Sequence, residues 1–213
     1  MNLVEMKVKD FLDELASKSP APGGGSVSAL VGANAASLVL MVSELTVHKK
    51  KFKALDENIQ KSYLEHIEIF KKNKDLFTQY VDDDTKAFNI IMDAYKMPKE
   101  TEEQIELRNE EIQKATVKCI KVPMNVCLAA MESLRNIEHI ISHSNKNAMS
   151  DIGVATLLLY SAFEGAAMNV LINLQGLDKK DLVKDYQDVI QRMTDEAKIL
   201  REDLLEKVYY IIK

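Results

Sequence analysis

The chain has 213 residues, 46% of them hydrophobic and 29% charged, with a net charge of −5. That balance fits a soluble globular protein with one sizeable core and leaves no electrostatic footprint for nucleic acid. No apolar run is read as a membrane span, and the first residues lack a signal-peptide layout. Cys119 and Cys127 share one predicted helix at about 12 Å, too far apart for a disulfide. A reduced, cytoplasmic protein is expected.

Val8, Phe11, Leu12, Leu15 and Ala16 recur at helical spacing and predict a short amphipathic first helix. Next comes Ser19-Pro20-Ala21-Pro22-Gly23-Gly24-Gly25-Ser26. The prolines hold the approach extended, and the glycines let another group come close to bare amides. Ser26 is a suitable N-cap for an apolar helix running to Leu45. Two readings stand here. One is a pocket of free N–H groups at the positive end of a helix dipole, suited to a carboxylate, a phosphate or an electron-rich heterocycle. The other is a tight bend between packed helices. Ala29, Gly32, Ala33, Ala35, Ala36 and Ser37 let a neighbour approach the backbone before bulk returns at Leu38 to Met41. Lys49-Lys50-Lys51 reads as a solvated helix end or as a cationic clamp for a polyanionic tail.

A third helix runs from Asp56 to about Tyr95. Its near-heptad stripe is Ile59, Tyr63, Ile67, Phe70, Phe77, Val81, Phe88, Ile91 and Tyr95. At about 60 Å it is too long for a compact monomer to cover, which predicts a homodimer through long helices. Asp82 and Asp83 point off the stripe, whereas Asp84 falls on it. A carboxylate there must be paired, hydrogen-bonded or shifted in pKa. Either it belongs to a buried ion pair or register pin, or it does acid/base work at a functional site.

Met97-Pro98 closes that helix, and Thr101 with Gln104 forms a capping box for the next. Ile105, Ile112, Ala115, Cys119 and Ile120 lead to Pro123, where a kink is expected. His139 and His143 have the spacing of metal ligands but no acidic or cysteine partner nearby, so no metal is assigned. Ser150, as N-cap, and Asp151 open a helix that is apolar nearly all round to Leu174 and is placed in the middle of the bundle. Asn169 and Asn173 on it need polar partners if buried. A last helix starts at Asp178. With no strand pattern and no repeat, the fold class is all-α: an antiparallel bundle of long helices, one domain over residues 1–213. The glycine turn lacks the lysine of a P-loop and fails GxGxxG at Ser28, and no Ser–His–Asp signature is visible.

Ser19 to Val27 with its small-residue helix resembles the cyclodeaminase/cyclohydrolase family of tetrahydrofolate enzymes. Asp84-Thr85-Lys86-Ala87-Phe88 resembles that family's D-x-x-A-F element, and Met97-Pro98-Lys99 its L-P-K. Ser150-Asp151, Gly165-Ala166 and Asn169 to Leu174 resemble its later segments. Asn34 and Met97 depart from the pattern. The resemblance covers essentially the whole chain. It implies an all-helical homodimer acting on a tetrahydrofolate derivative, which can be polyglutamylated, with no cofactor beyond that substrate. The activity implied is formiminotetrahydrofolate cyclodeaminase, with methenyltetrahydrofolate cyclohydrolase and a non-catalytic helical binding module as alternatives. Asp84 becomes the expected acid/base. Pro22 and the amides of Gly23, Gly24, Gly25 and Ser26 would orient the pterin or the reacting oxygen. Lys49, Lys50 and Lys99 would meet the glutamate tail, and Ser150 and Asp151 the ring.

Overall fold

The computed structural model describes residues 2–213. Among the described residues seven α-helices follow one another: α1 Val8–Leu15, α2 Gly24–Val47, α3 Lys50–Lys53, α4 Glu57–Tyr95, α5 Glu102–His143, α6 Met149–Leu174 and α7 Lys180–Ile212. No strand occurs among the described residues. Helix starts follow local chemistry. The Asp56 carboxylate accepts from the Asn58 amide at the head of α4, and Thr101 and Gln104 complete the expected capping box of α5.

Four helices form the bundle α2, α4, α5, α6, each antiparallel to the next. Ser26 of α2 meets Asp84 of α4, and Tyr63 meets Ser43 at the other end. Along the α4/α5 pair, Cys119 faces Ala87 and Ser144 faces Tyr63. Cys127 of α5 faces Phe163 of α6, while α6 returns along α2 with Gly165 against Ser28. Helix α7 lies along α5 and α6, tied by Arg135–Glu196 and Lys207–Glu138. Tyr63, Phe70, Phe77, Phe163, Leu134, Ile137 and Leu159 are completely or almost completely buried, each contributing about 1.5–3 kcal/mol of apolar burial. Glycine is needed where helices cross closest: a Cβ on Gly32 would sit 2.7 Å from the Phe77 ring.

Several expectations change. Helix α4 is covered by the 42-residue α5 of its own chain, so its length does not by itself call for a partner. Only Phe11 of α1 is buried; Val8 and Leu12 face outward. Helix α5 runs unbroken through Pro123. The proline removes the bond to the Cys119 carbonyl, and the Asn173 side-chain amide takes that carbonyl at 2.8 Å. Helix α6 begins at Met149, with Ala148 rather than Ser150 as its cap. It is not buried all round: Val154, Leu157, Met168, Leu171 and Ile172 are exposed. By length and composition α2 and the segment Lys146–Leu174 are long and apolar enough to cross a membrane, contrary to the sequence reading. Here they are the two inner faces against which α4 and α5 pack.

His139 does not join a metal set with His143. Its ring stacks on His66 with centroids 3.9 Å apart and planes 12° from parallel. Asn136 donates its amide to the Glu132 carbonyl, which leaves its oxygen to accept from His66 Nδ1 at 2.8 Å. Desolvation and the charge of His66 lower the His139 pKa, against a smaller opposing pull from Glu138. Well above the ordinary imidazole value of 6.5 the ring is neutral in both states and contributes no linkage. As pH falls below it, the unfolded chain takes up the proton first and stability is lost. The urea midpoint of the wild type is therefore expected to drop between about pH 7.5 and about pH 5.5, and to drop less in His139→Gln. Parallel curves would remove the stacked pair from the account.

Candidate active site

The first turn of α2 opens at the end of the bundle where α6 finishes. Gly23, in an extended conformation, is the N-cap, and the Val27 amide closes the first turn on the Gly23 carbonyl. Ser26 is therefore inside the helix and not its cap. Its hydroxyl is drawn sideways: it donates to the Val81 carbonyl at 2.8 Å and lies 3.2 Å from Asp84 Oδ2 and 3.3 Å from the Thr85 hydroxyl. The Ser26 amide, one of the free donors at a helix start, points at Asp84 Oδ2 over 2.9 Å. The glycine turn is a tight bend between packed helices, and its Ser26 amide is taken by the chain's own Asp84 carboxylate.

Gly25 explains how the carboxylate gets in. A Cβ there would lie 2.1 Å from Asp84 Oδ1 and 2.4 Å from its Cγ, so the carboxyl group occupies the space of the missing side chain. On the next residue back, a Cβ at Gly24 would lie 3.2 Å from Asn169 Nδ2 of α6. The Asn169 amide donates to its own helix, at the Gly165 carbonyl. Gly165 in turn makes room for Ser28, whose hydroxyl binds the Gly24 carbonyl at 2.7 Å. Four groups from three helices meet on one turn.

Electrostatics favour proton exchange at Asp84. Burial raises its pKa above the usual carboxylate value, while the hydroxyl and amide of Ser26 pull it back. The thiol of Cys119 is nearby and gives its hydrogen to the Ala87 carbonyl. Burial and the Asp84 charge push that thiol up to about 11, and burial takes Cys127 to about 12. Neither is a nucleophile near neutral pH.

The residues singled out from sequence divide into two groups. Pro22, Gly23, Gly24, Gly25, Ser26 and Asp84 come together. Lys49 and Lys50 stand at the far end of α2, about 35 Å along the helix from Gly24, and Ser150 and Asp151 open α6 at that same end. There, Lys49, Lys51, Lys146 and His143 line a cavity of about 570 Å³ floored by Phe52, Leu55 and Ile141. Lys99 is exposed in the α4/α5 connection, about 17 Å beyond Asp84 along α4. Ser28, Thr85, Cys119 and Gly165 were not singled out as site residues. Thr85, Gly165 and Asn169 lay in segments that carried the resemblance, and Asn169 was also flagged as needing a polar partner.

The fit at Gly25 has a direct consequence. Gly25→Ala is expected to expel the carboxylate, leaving the Ser26 amide unpaired and costing about 1–3 kcal/mol. Gly24→Ala meets only a side-chain end, and its gain of about 1 kcal/mol in helix propensity offsets the contact. Thermal unfolding of the two variants checks this; equal stability in both would contradict the geometry.

A family model described as formiminotransferase-cyclodeaminase matches residues 7–204. The methenyltetrahydrofolate cyclohydrolase of Methylorubrum extorquens is 36% identical over 201 residues, 94% of this chain and 95% of that protein. The formimidoyltransferase-cyclodeaminase of Rattus norvegicus is 29% identical over 197 residues, 92% of this chain but 36% of that longer protein. The crystal structure of formiminotetrahydrofolate cyclodeaminase from Thermotoga maritima matches with a TM-score of 0.77 at 26% identity, covering 97% of this chain and 96% of that one. With the glycine turn, Asp84 and Asn169 all inside the matched span, the chain belongs to the formiminotransferase-cyclodeaminase family.

Proposed function

We propose that the chain is a folate one-carbon enzyme, a formiminotetrahydrofolate cyclodeaminase, with Asp84 as its proton carrier. The observation that carries this reading is a half-buried carboxyl of raised pKa, clamped on the glycine turn that starts α2. In 5-formiminotetrahydrofolate, N10 attacks the protonated formimino carbon. The Asp84 carboxylate takes the N10 proton, leaving a tetrahedral carbon bonded to N5, N10 and an amino group. Asp84 then gives the proton to that amino group. Ammonia leaves with the C–N bonding pair, and the N5 lone pair forms 5,10-methenyltetrahydrofolate. A carboxyl tuned toward neutrality suits both transfers.

The second reading, methenyltetrahydrofolate cyclohydrolase, is favoured by the 36% identity over nearly the full length of such an enzyme. Water adds to the methenyl carbon as Asp84 takes its proton. The C–N5 bond then breaks as N5 gains a proton, and loss of the hydroxyl proton gives 10-formyltetrahydrofolate. Pro22 and Gly23 to Ser26 would seat the pterin, and Lys99 its glutamate tail. No cofactor besides the folate takes part. A single helical domain in a reducing cytoplasm fits two free, buried thiols.

We also propose a homodimer, through α6 and α2 rather than through α4. Leu157 is 46% exposed, Met168 63% and Ile172 58%, and Met41 and Leu45 of α2 are exposed as well. An isologous pairing of this face about an axis perpendicular to the helices sets the Lys49–Lys50 end of one protomer beside the Gly23 end of its partner. The tail-binding role of Lys49 and Lys50, and a ring contact from Ser150 and Asp151, require that arrangement.

Purified protein is expected to raise methenyl absorbance and release ammonia from 5-formiminotetrahydrofolate; acceleration of methenyl loss alone means the second reading. No change with either substrate leaves a non-catalytic module. Asp84→Asn is expected to lower turnover at least about 100-fold while keeping the fold, because the amide oxygen still accepts from Ser26; substantial retained activity sinks the assignment. In the wild type, the acid limb of kcat/KM should lie above the usual carboxylate range, since the ionised form is the base. Met168→Glu is expected to shift the sedimenting species from dimer to monomer; unchanged sedimentation contradicts the α6 interface.

A further inference from the structure

Asn169 has no task in the proton transfers above, yet its side chain lies against the same turn as Asp84. A Cβ on Gly24 would be 3.2 Å from its Nδ2 and 3.7 Å from its Oδ1, and a Cβ on the adjoining Gly25 would fall inside the Asp84 carboxyl group. Carboxylate and amide therefore flank consecutive residues. The orientation of the amide is set by chemistry. Its Nδ2 donates to the Gly165 carbonyl over 2.8 Å, and the flipped form would place two acceptors against each other. Oδ1 is thus the free end, and no described residue donates to it. The turn presents two kinds of partner at one place: N–H donors from the backbone and acceptors from Asp84 and Asn169.

A protonated formimino group is an amidinium, planar and rich in N–H donors, with the carbon under attack next to the nitrogen that leaves. A carboxylate that must take a proton from N10 and return it to that nitrogen cannot also hold the nitrogen still. A separate neutral acceptor is needed, and a neutral one leaves the Asp84 charge unperturbed. We propose that Asn169 is a positioning residue: its Oδ1 accepts an N–H of the formimino group, turning the leaving nitrogen toward Asp84. In the hydrolytic direction the same oxygen accepts an O–H of the attacking water. The proton itself moves only through Asp84. This role rests on the folate reading of the site.

Steady-state kinetics of the full chain with 5-formiminotetrahydrofolate and with 5,10-methenyltetrahydrofolate test it. Asn169→Leu keeps the branched outline and removes the acceptor; kcat is expected to fall about 10- to 100-fold with KM within about threefold. Asn169→Asp keeps the free acceptor but loses the donor to the Gly165 carbonyl, and should retain more of the rate on its optimum than Asn169→Leu. Its second carboxylate beside Asp84 should move the acid limb of kcat/KM upward by about one unit, which reports only that the side chain faces Asp84; the discriminating readout is a kcat loss in Asn169→Leu that Asn169→Asp rescues. Wild-type kcat in Asn169→Leu, or a loss confined to KM, overturns the role. If Asn169→Leu fails to fold, the smaller Asn169→Ala takes its place: a kcat loss that Asn169→Asp rescues supports the role, and wild-type kcat overturns it. Inactive wild type with both folates overturns the folate reading together with this role. Active wild type with indifferent Asn169 variants overturns this role alone.

Discussion

The site depends on one contact, the Ser26 amide against the Asp84 carboxylate. A helix start carries donors without partners and a partial positive charge, so a carboxylate placed there is held in its ionised form. Burial pulls the other way. At Asp84 burial is the larger influence and the two Ser26 bonds oppose it. A carboxyl with more donors would stay ionised, and one with none would stay protonated. Between those limits it can both take and give a proton. The balance exists because Gly25 has no side chain, so the carboxylate can approach the helix backbone itself.

The surrounding contacts keep that approach fixed. Gly32 lets the Phe77 ring sit against α2, and Gly165 lets Ser28 sit against α6. Pro123 frees the Cys119 carbonyl, and Asn173 takes it. That exchange ties α5 to α6 one turn from Asn169. Each of these crossings uses a residue that lacks a side chain or a backbone donor, so the packing sets register more sharply than bulk hydrophobicity would. The α4/α5 hairpin continues past the end of α2, with a small core of its own from Ile91, Ala94, Ile112 and Ala115. It puts Lys99 beyond the site on the same side.

Much of this was legible in the chain. Periodicity marked the long helices, the capping box at Thr101 was readable, and the stripe from Phe77 to Phe88 singled out Asp84 against Asp82 and Asp83. What escaped the sequence has physical reasons. Ser26 looks like a cap because serine often is one, but its hydroxyl finds a better acceptor in a neighbouring helix, which local sequence does not record. The α4 stripe seemed to demand a partner because pairing with α5 is a tertiary fact. An all-round apolar α6 reads as buried whether its outer face meets its own chain or another. Asn169 was visible as a polar residue in need of a partner, within a segment that resembles the family; that its oxygen is free depends on the Gly165 carbonyl beneath its nitrogen.

The relatives divide between two named reactions while sharing one scaffold, and the chemistry accounts for it. Both reactions pass through a carbon bonded to two folate nitrogens and to one exchangeable group, an amine in one case and a hydroxyl in the other. Both need a carrier that removes a proton from the attacking atom and supplies one to the departing atom. On the proposed reading, Asp84 on its glycine turn would do that without distinguishing nitrogen from oxygen. The acceptor beside it, Asn169 Oδ1, meets an N–H or an O–H equally well. A frame built this way leaves the choice of reaction to small differences in how the one-carbon unit is presented. A shared proton carrier of this kind would let one scaffold stand at 36% identity to a cyclohydrolase and at 26% to a cyclodeaminase of the same fold.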